Sequence, residues 1–255
     1  MSWDSKQYLK FQRERTQPSI DLADRLTVQS PERIIDIGCG PGNSTAVLKK
    51  RYPDAEVIGA DNSENMISAA KEKYPDIEFL LCDASKELGN ITGKFDIVFS
   101  NACIQWVPHH PKLLREMLSL LKEGGELAIQ VPMNYNEPIH KIINETVMSE
   151  KWREVFSEPR IFYTLAPEKY YDILSEISSD FEMWQTVYFH RMKSHYDIIE
   201  WYRSTGLRPY LEVLPSAVKE EFEMDIFAKV EKAYPVQANG EIIFRFPRLF
   251  FKAVR

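Results

Sequence analysis

The 255-residue chain has little cysteine and no excess of basic residues, and its apolar side chains never gather into one long run. Three cysteines, Cys39, Cys82 and Cys103, are an odd number without C-x-x-C spacing, which argues against a disulfide framework or a zinc site and reads as three free thiols. Lysine and arginine number 32 against 38 aspartates and glutamates, a net charge of −6 that disfavours both a nucleic-acid groove and an anionic membrane surface. The expected partner is therefore a small molecule. No stretch approaches the roughly 18 apolar residues of a membrane span, and Trp3, Asp4 and Lys6 stand where a signal peptide needs an apolar centre; the expectation is a cytoplasmic protein. The five histidines, His109, His110, His140, His190 and His195, lack H-x-x-x-H spacing, so no metal site is expected.

What is present is a rhythm of short β-branched runs and longer amphipathic stretches, the pattern of βαβ units. Strands are expected at 34–37, 56–61, 77–83, 95–100 and 126–131, and helices near 43–51, 63–73 and 111–122, the last stopped by Gly124 and Gly125. Later come a helix at 167–178, a strand at 181–192, helices at 195–206 and 215–233, and a last strand at 242–254. Residues 134–166 offer no strand and read as an insertion. A short helix before Arg15 and another started by Pro18 are expected near the N-terminus. The fold class is α/β: a doubly wound, seven-stranded, mostly parallel sheet in a single domain spanning all 255 residues.

The sharpest motif is Asp36-Ile37-Gly38-Cys39-Gly40-Pro41-Gly42-Asn43-Ser44, a strand running into glycines and then a helix. Glycine permits positive φ and close approach of backbone to a ligand. The dinucleotide fingerprint G-x-G-x-x-G needs glycine where this chain has Asn43, so no pyrophosphate cradle is expected. Asp61 ends the second expected strand and Asp83 the third, so three acids fall at the carboxyl ends of successive strands, where an open parallel sheet binds its ligand. Asp61 suits the paired hydroxyls of a ribose, with an N-cap as its bland alternative; Ser63 also stands before the helix and leaves Asp61 freer. For Asp83 the bland alternative is a turn or cap.

With an acid two positions before the first glycine, the G-x-G-x-G turn resembles motif I of class I methyltransferases, which are Rossmann-like. The resemblance extends to Phe11-Gln12-Arg13-Glu14-Arg15-Thr16-Gln17-Pro18, to Asn101-Ala102-Cys103-Ile104-Gln105-Trp106-Val107-Pro108, to Thr205-Gly206-Leu207-Arg208-Pro209 and to Phe246-Pro247-Arg248-Leu249-Phe250, segments similar to those of the trans-aconitate methyltransferase family. This resemblance implies S-adenosylmethionine as cofactor and methyl transfer to a carboxylate of trans-aconitate. It places Arg15, Asp36, Gly38, Gly40, Asn43, Asp61, Asn62, Met66, Asp83, Ala84, Asn101 and Trp106 at the cofactor. Within that set Asp36 lies near the methionine end, directly or through water, and Asp83 accepts the adenine amino group. It also implies an N-terminal helical lid at 1–30, a cofactor core at 31–133 and substrate caps at 134–166 and 193–240.

A carboxylate substrate is already ionised at neutral pH, so no catalytic base is required and no catalytic residue is expected beyond those that position. A polyanion entering an acidic protein needs basic residues gathered locally, and the last third supplies Arg191, Lys193, Arg203, Arg208, Arg245 and Arg248. Arginine pairs with carboxylate through a planar fork, yet such pairing weakens a nucleophile. The arginines therefore suit the carboxylates that do not react, while the reacting one suits a drier aromatic wall, with Trp106, Tyr8 and Trp3 as candidates. The substrate set is Tyr8, Gln12, Trp106, His190, Arg208 and Arg248. Against it stand a packed core histidine for His190 and solvated surface charges for the arginines. Other readings remain open: another small acid, a carrier-bound malonyl group, a phenol or a quinone precursor as substrate; a nicotinamide dehydrogenase; or a non-catalytic subunit that binds S-adenosylmethionine.

Overall fold

The computed structural model describes residues 11–156, 162–203 and 205–255. Seven strands form one sheet: β1 (Arg33–Ile37), β2 (Glu56–Asp61), β3 (Glu78–Leu81), β4 (Phe95–Asn101), β5 (Leu121–Pro132), β6 (Phe181–Met192) and β7 (Ile242–Val254). Their order is β3-β2-β1-β4-β5-β7-β6. β1 pairs in parallel with β2 and β4, β2 with β3, and β4 with β5, whereas β7 runs antiparallel to β5. The expected doubly wound, mostly parallel sheet is the observed one. Its strands are apolar on both faces because helices cover both: Ile34, Ile35, Ile97, Val98, Leu127 and Ile129 are all fully buried.

The chain divides into two compact units. Of the described residues, the first holds 15–132, 162–186 and 248–255; the second holds 11–14, 133–156, 187–203 and 205–247. Strands β6 and β7 run through both, and the segments expected as insertions at 134–166 and 193–240 fall mostly in the second unit.

In the first unit, helices α2 (Asn43–Arg51) and α3 (Glu64–Lys73) follow β1 and β2, α4 (His110–Ser119) follows β4, and α6 (Pro167–Ile177) precedes β6. Helix α4 buries Leu113, Leu114, Met117 and Leu118, a stripe at helical spacing, and has Pro111 in its first turn, where a missing N–H costs nothing. It ends at Ser119 rather than at the expected 122, because Leu121 is already paired with Phe95 in the sheet. Gly124 and Gly125 do not stop the helix; they lie inside β5, with Gly124 at φ +74, beside a shift of register between Phe95 and Ile97. Helix α1 (Gln12–Ala23) also departs from expectation, running unbroken through Pro18. The carbonyl that Pro18 leaves unserved is that of Glu14 in the helix's first turns, so one bond is lost rather than the helix.

The second unit packs α5 (Pro138–Val147), α7 (His195–Arg203), α8 (Arg208–Val213) and α9 (Ser216–Ala233) around Ile139, Ile143, Trp201, Phe222, Ile226 and Phe244. Helices α5 and α8 were not expected. Both have proline in their first turn, and α8 has only six residues, too few for a periodic signal. Among the described residues no helix is long and apolar enough to cross a membrane.

One buried charge ties the loop after α1 to the sheet. Glu126 on β5 is 2% exposed, and its carboxylate accepts the Thr27 amide at 2.9 Å and the Thr27 hydroxyl, with Lys252 Nζ at 3.6 Å. Lys252 in turn donates to the carbonyl of Arg25 at 2.7 Å. Removing Glu126 leaves the Thr27 amide and hydroxyl without their acceptor, and Lys252 with only the more exposed Glu182, at 3.6 Å, to answer its charge. Glu126→Ala is expected to lower the free energy of unfolding by about 3 to 5 kcal/mol, read from urea denaturation.

Candidate active site

The turn after β1 is built by backbone that only glycine allows. Gly38, Gly40 and Gly42 have φ of +77, +55 and +83. The amides of Gly38 and Cys39 both donate to the carbonyl of Ala60 on β2, at 2.7 and 3.0 Å, which draws the turn across the end of the neighbouring strand. A Cβ on Gly38 would stand 2.1 Å from Cys103 Sγ, and one on Gly42 would press on Phe79 and Tyr74 at 2.9 Å. A Cβ on Gly40 would meet nothing within 4 Å. Gly38 and Gly42 thus close the turn onto protein, and Gly40 leaves backbone open toward a ligand.

Asp61 holds the open glycine. Its Oδ2 accepts the Gly40 amide and its Oδ1 the Ser63 amide, each at 2.9 Å. Burial pushes its carboxyl above the usual range, against the pull of these backbone donors. Ser63 is the cap of α3, its hydroxyl accepting the Met66 amide at 3.4 Å. Asn62 is exposed beside it and Met66 is half-buried.

Asp36 is fully buried. Its Oδ2 accepts the hydroxyls of Ser44 at 2.6 Å and Thr45 at 2.8 Å, pinning the first turn of α2 to β1, while among the described residues no donor reaches its Oδ1. Desolvation raises its pKa to about 6 despite the two hydroxyls. Asp83 lies beyond the end of β3, in a tight turn, where the Ser85 hydroxyl and amide hold its carboxyl below the usual range; Ala84 beside it is half-buried. Asn43 is directed elsewhere: its Oδ1 accepts from Lys73 Nζ at 2.9 Å and from the Tyr74 hydroxyl at 3.4 Å, at the end of α3.

After β4 the chain turns sharply. Asn101 ends the strand with Oδ1 buried and without a donor, and Ala102 takes a left-handed φ of +54, a strain that single alanines seldom carry. The Ala102 amide donates to the Gln130 carbonyl at 3.0 Å and its carbonyl accepts Gln105 Nε2 at 2.7 Å, which fixes the short 3₁₀ turn Ile104–Trp106. Trp106 is half-buried and packs on Phe162 with ring centroids 4.8 Å apart. The thiol of Cys103 is pushed up to about 12 by burial, so it packs under Gly38 rather than acting as a nucleophile. Arg15, half-buried on α1, belongs to this unit as well.

The arginines of the last third differ in what they touch. Arg191 forks onto Glu241 at 2.7 and 2.8 Å, Arg203 onto Glu223 at 2.5 and 2.6 Å, and Arg245 meets Glu137 at 2.7 Å. Arg208 pairs with Glu212 one turn along α8 at 2.7 Å. Arg248, 4% exposed in the first unit, donates instead to a neutral partner, Gln130 Oε1, at 3.2 Å. His190, in the second unit, is buried in an aromatic stack, 4.9 Å from the ring of Trp201. Tyr8 lies outside the described residues, as does the side chain of Gln12. Gln130 and Gln105 are among the buried polar side chains to which the sequence assigned no role. For Gln130 the available signal was a glutamine inside the apolar run of a strand buried on both faces. Among the described residues no group of histidines, cysteines and acids is arranged to hold a metal ion.

A family model described as a methyltransferase domain matches residues 29–204. The trans-aconitate 2-methyltransferase of Rhodopseudomonas palustris strain BisA53 is 40% identical over 253 residues, 98% of each chain, and that of Escherichia coli strain ATCC 8739 is 38% identical over 99% of this chain and 98% of its own. The chain belongs to the trans-aconitate 2-methyltransferase family. The solved structure of the YcgJ protein from Bacillus subtilis superposes with a TM-score of 0.64 at 15% identity, covering 94% of this chain and 98% of that one. Haemonchus contortus phosphoethanolamine N-methyltransferase 2 in complex with S-adenosyl-L-methionine does so at 0.53 and 20%, covering 94% and 52%. These two likenesses speak for the fold. In this methyltransferase the G-x-G-x-G turn lies between β1 and α2.

The raised pKa of Asp36 carries a sign. Between the unfolded carboxyl value of about 3.9 and the folded value of about 6, the native state holds the extra proton; the stability this confers is present below about pH 4 and is lost as the pH rises through 6. Asp36→Asn removes the term. The variant's stability relative to the parent is expected to rise from near parity at about pH 4 to an advantage of order 1 to 3 kcal/mol above about pH 7, measured as paired denaturation curves across that range.

Proposed function

We propose that this enzyme transfers the methyl group of S-adenosylmethionine to a carboxylate of trans-aconitate, giving the monomethyl ester and S-adenosylhomocysteine. The observation that carries the reading is the end-to-end similarity to trans-aconitate 2-methyltransferases, which covers both units and not the cofactor half alone. A cytoplasmic enzyme acting on a free small acid is part of the same reading.

The residues present fit the cofactor. Among the described residues no donor reaches the buried acceptor oxygens Asp36 Oδ1 and Asn101 Oδ1, and they suit an ammonium group. Gly40 leaves open backbone beside them. We assign the amino-acid end to Asp36, Asn101 and Arg15, the ribose hydroxyls to Asp61 and the adenine side to Asp83, Ala84, Asn62 and Met66. S-adenosylmethionine, when bound, supplies an activated methyl group on a sulfonium. What the chain itself contributes is placement. The substrate oxygen is ionised without a base, so holding it in line with the methyl carbon is the catalytic task, one that positioning can supply with up to roughly 7 to 11 kcal/mol.

Arg248 is the residue we assign to a carboxylate that does not react; Arg208 is paired with Glu212 and belongs to the other unit. Arg203 and Arg245 are already forked or paired onto Glu223 and Glu137, which leaves them structural. Trp106 supplies the apolar wall that keeps the attacking oxygen poorly solvated.

Incubation with S-adenosylmethionine and trans-aconitate is expected to yield, by mass spectrometry, an ester heavier than the acid by one methyl group; a product seen only with other acids in a panel would replace the substrate. Gly40→Ala is expected to fold, at a strain cost of about 1 to 2 kcal/mol, and to bind S-adenosylmethionine at least about tenfold more weakly by calorimetry, because its new Cβ enters the space left for the ligand.

A further inference from the structure

Gln130 stands on β5 with no exposed surface. Its register partner on β4 is Asn101, and Arg248 of β7 pairs with Pro132, two residues along the same face. Side chains of register partners share a face and alternate along each strand. Followed from strand to strand, that rule puts Asp61, Asp36, Asn101, Gln130 and Arg248 on one face, at the carboxyl ends of the parallel strands. Among the described residues Asp36 Oδ1, Asn101 Oδ1 and Gln130 Nε2 are buried polar atoms that no hydrogen-bond partner reaches.

The orientation of the Gln130 amide is fixed by its neighbour. A guanidinium only donates, so Arg248 Nη1 selects the amide oxygen, and the 3.2 Å contact leaves the NH₂ end directed away from Arg248 in a dry setting. An unserved N–H there is costly, and an apolar side chain would avoid the cost. The two unserved acceptors on β1 and β4 suit the cationic end of the cofactor. The unserved donor on β5 has the opposite polarity and calls for a ligand oxygen. It stands between the cofactor's strands and the arginine, where an acid has to lie to receive the methyl group. As a neutral donor it holds a carboxylate without adding the positive charge that would quench the nucleophile.

We propose that Gln130 positions the substrate: its Oε1 orients the Arg248 guanidinium and its Nε2 donates to a carboxylate oxygen of the acid. This rests on the reading of the enzyme as a carboxyl methyltransferase. The test compares the parent with Gln130→Met, which loses both polar ends, and Gln130→Glu, which keeps an acceptor for Arg248 and loses the donor. Both variants are expected to raise KM for trans-aconitate at least about tenfold, with a smaller change in kcat and with calorimetric affinity for S-adenosylmethionine within about twofold of the parent. A merely structural glutamine would lower the melting temperature and leave KM unmoved, and that result in Gln130→Glu overturns the proposal even if Gln130→Met fails to fold. A loss of S-adenosylmethionine affinity matching the rise in KM also overturns it, by assigning the amide to the cofactor. Parent turnover separates the two readings: if the parent prefers another acid, the comparison with that acid decides on Gln130, and if it methylates no acid, both readings fall.

Discussion

Everything at the head of this sheet depends on two amides sharing one carbonyl. By pointing both Gly38 and Cys39 at Ala60, the chain leaves β1 and at once crosses toward β2 before the next helix begins. The crossing brings the Gly40 amide to Asp61 and sets Gly38 against Cys103 with no room for a methyl group. Three strands are thereby joined through a few atoms of backbone. Side-chain identity elsewhere in the turn is secondary to this geometry, and Asn43, the residue that breaks the dinucleotide fingerprint, is free to tie α2 to α3 instead.

The same junction stores an electrostatic imbalance. Asp36 is held by two hydroxyls on one oxygen and, among the described residues, by no donor on the other, so its charge is only half answered by the protein itself. A site built in this way is stabilised by its ligand more than by itself, because the desolvation of the carboxylate is already complete when the partner enters. Placing the same acid at the surface would cost the fold less and would give a cation less to gain.

The sheet was legible from the sequence because strands buried on both faces read as unbroken β-branched runs, and the glycine turn was legible because left-handed backbone leaves a compositional trace. The acids at the strand ends were legible for the same reason. Other features were not. The partners of Arg203 and Arg245 lie 20 and 108 residues away, and charge pairing at such separations has no periodic signature. Pro18 read as a helix start and proved to be an interior residue, since a proline early in a helix removes a single hydrogen bond. Gly124 and Gly125 read as a stop and proved to be an irregularity within a strand, a distinction that only the pairing of Phe95 with Leu121 reveals.

The forked pairs of the second unit have a consequence for how an anion is first captured. Arg191 with Glu241, Arg203 with Glu223 and Arg245 with Glu137 are dipoles to a distant solute, and the field of a dipole dies away faster than that of a lone charge. The three pairs therefore do little to draw a polyanion in from afar against the net charge of −6, and salt that screens this repulsion favours the encounter.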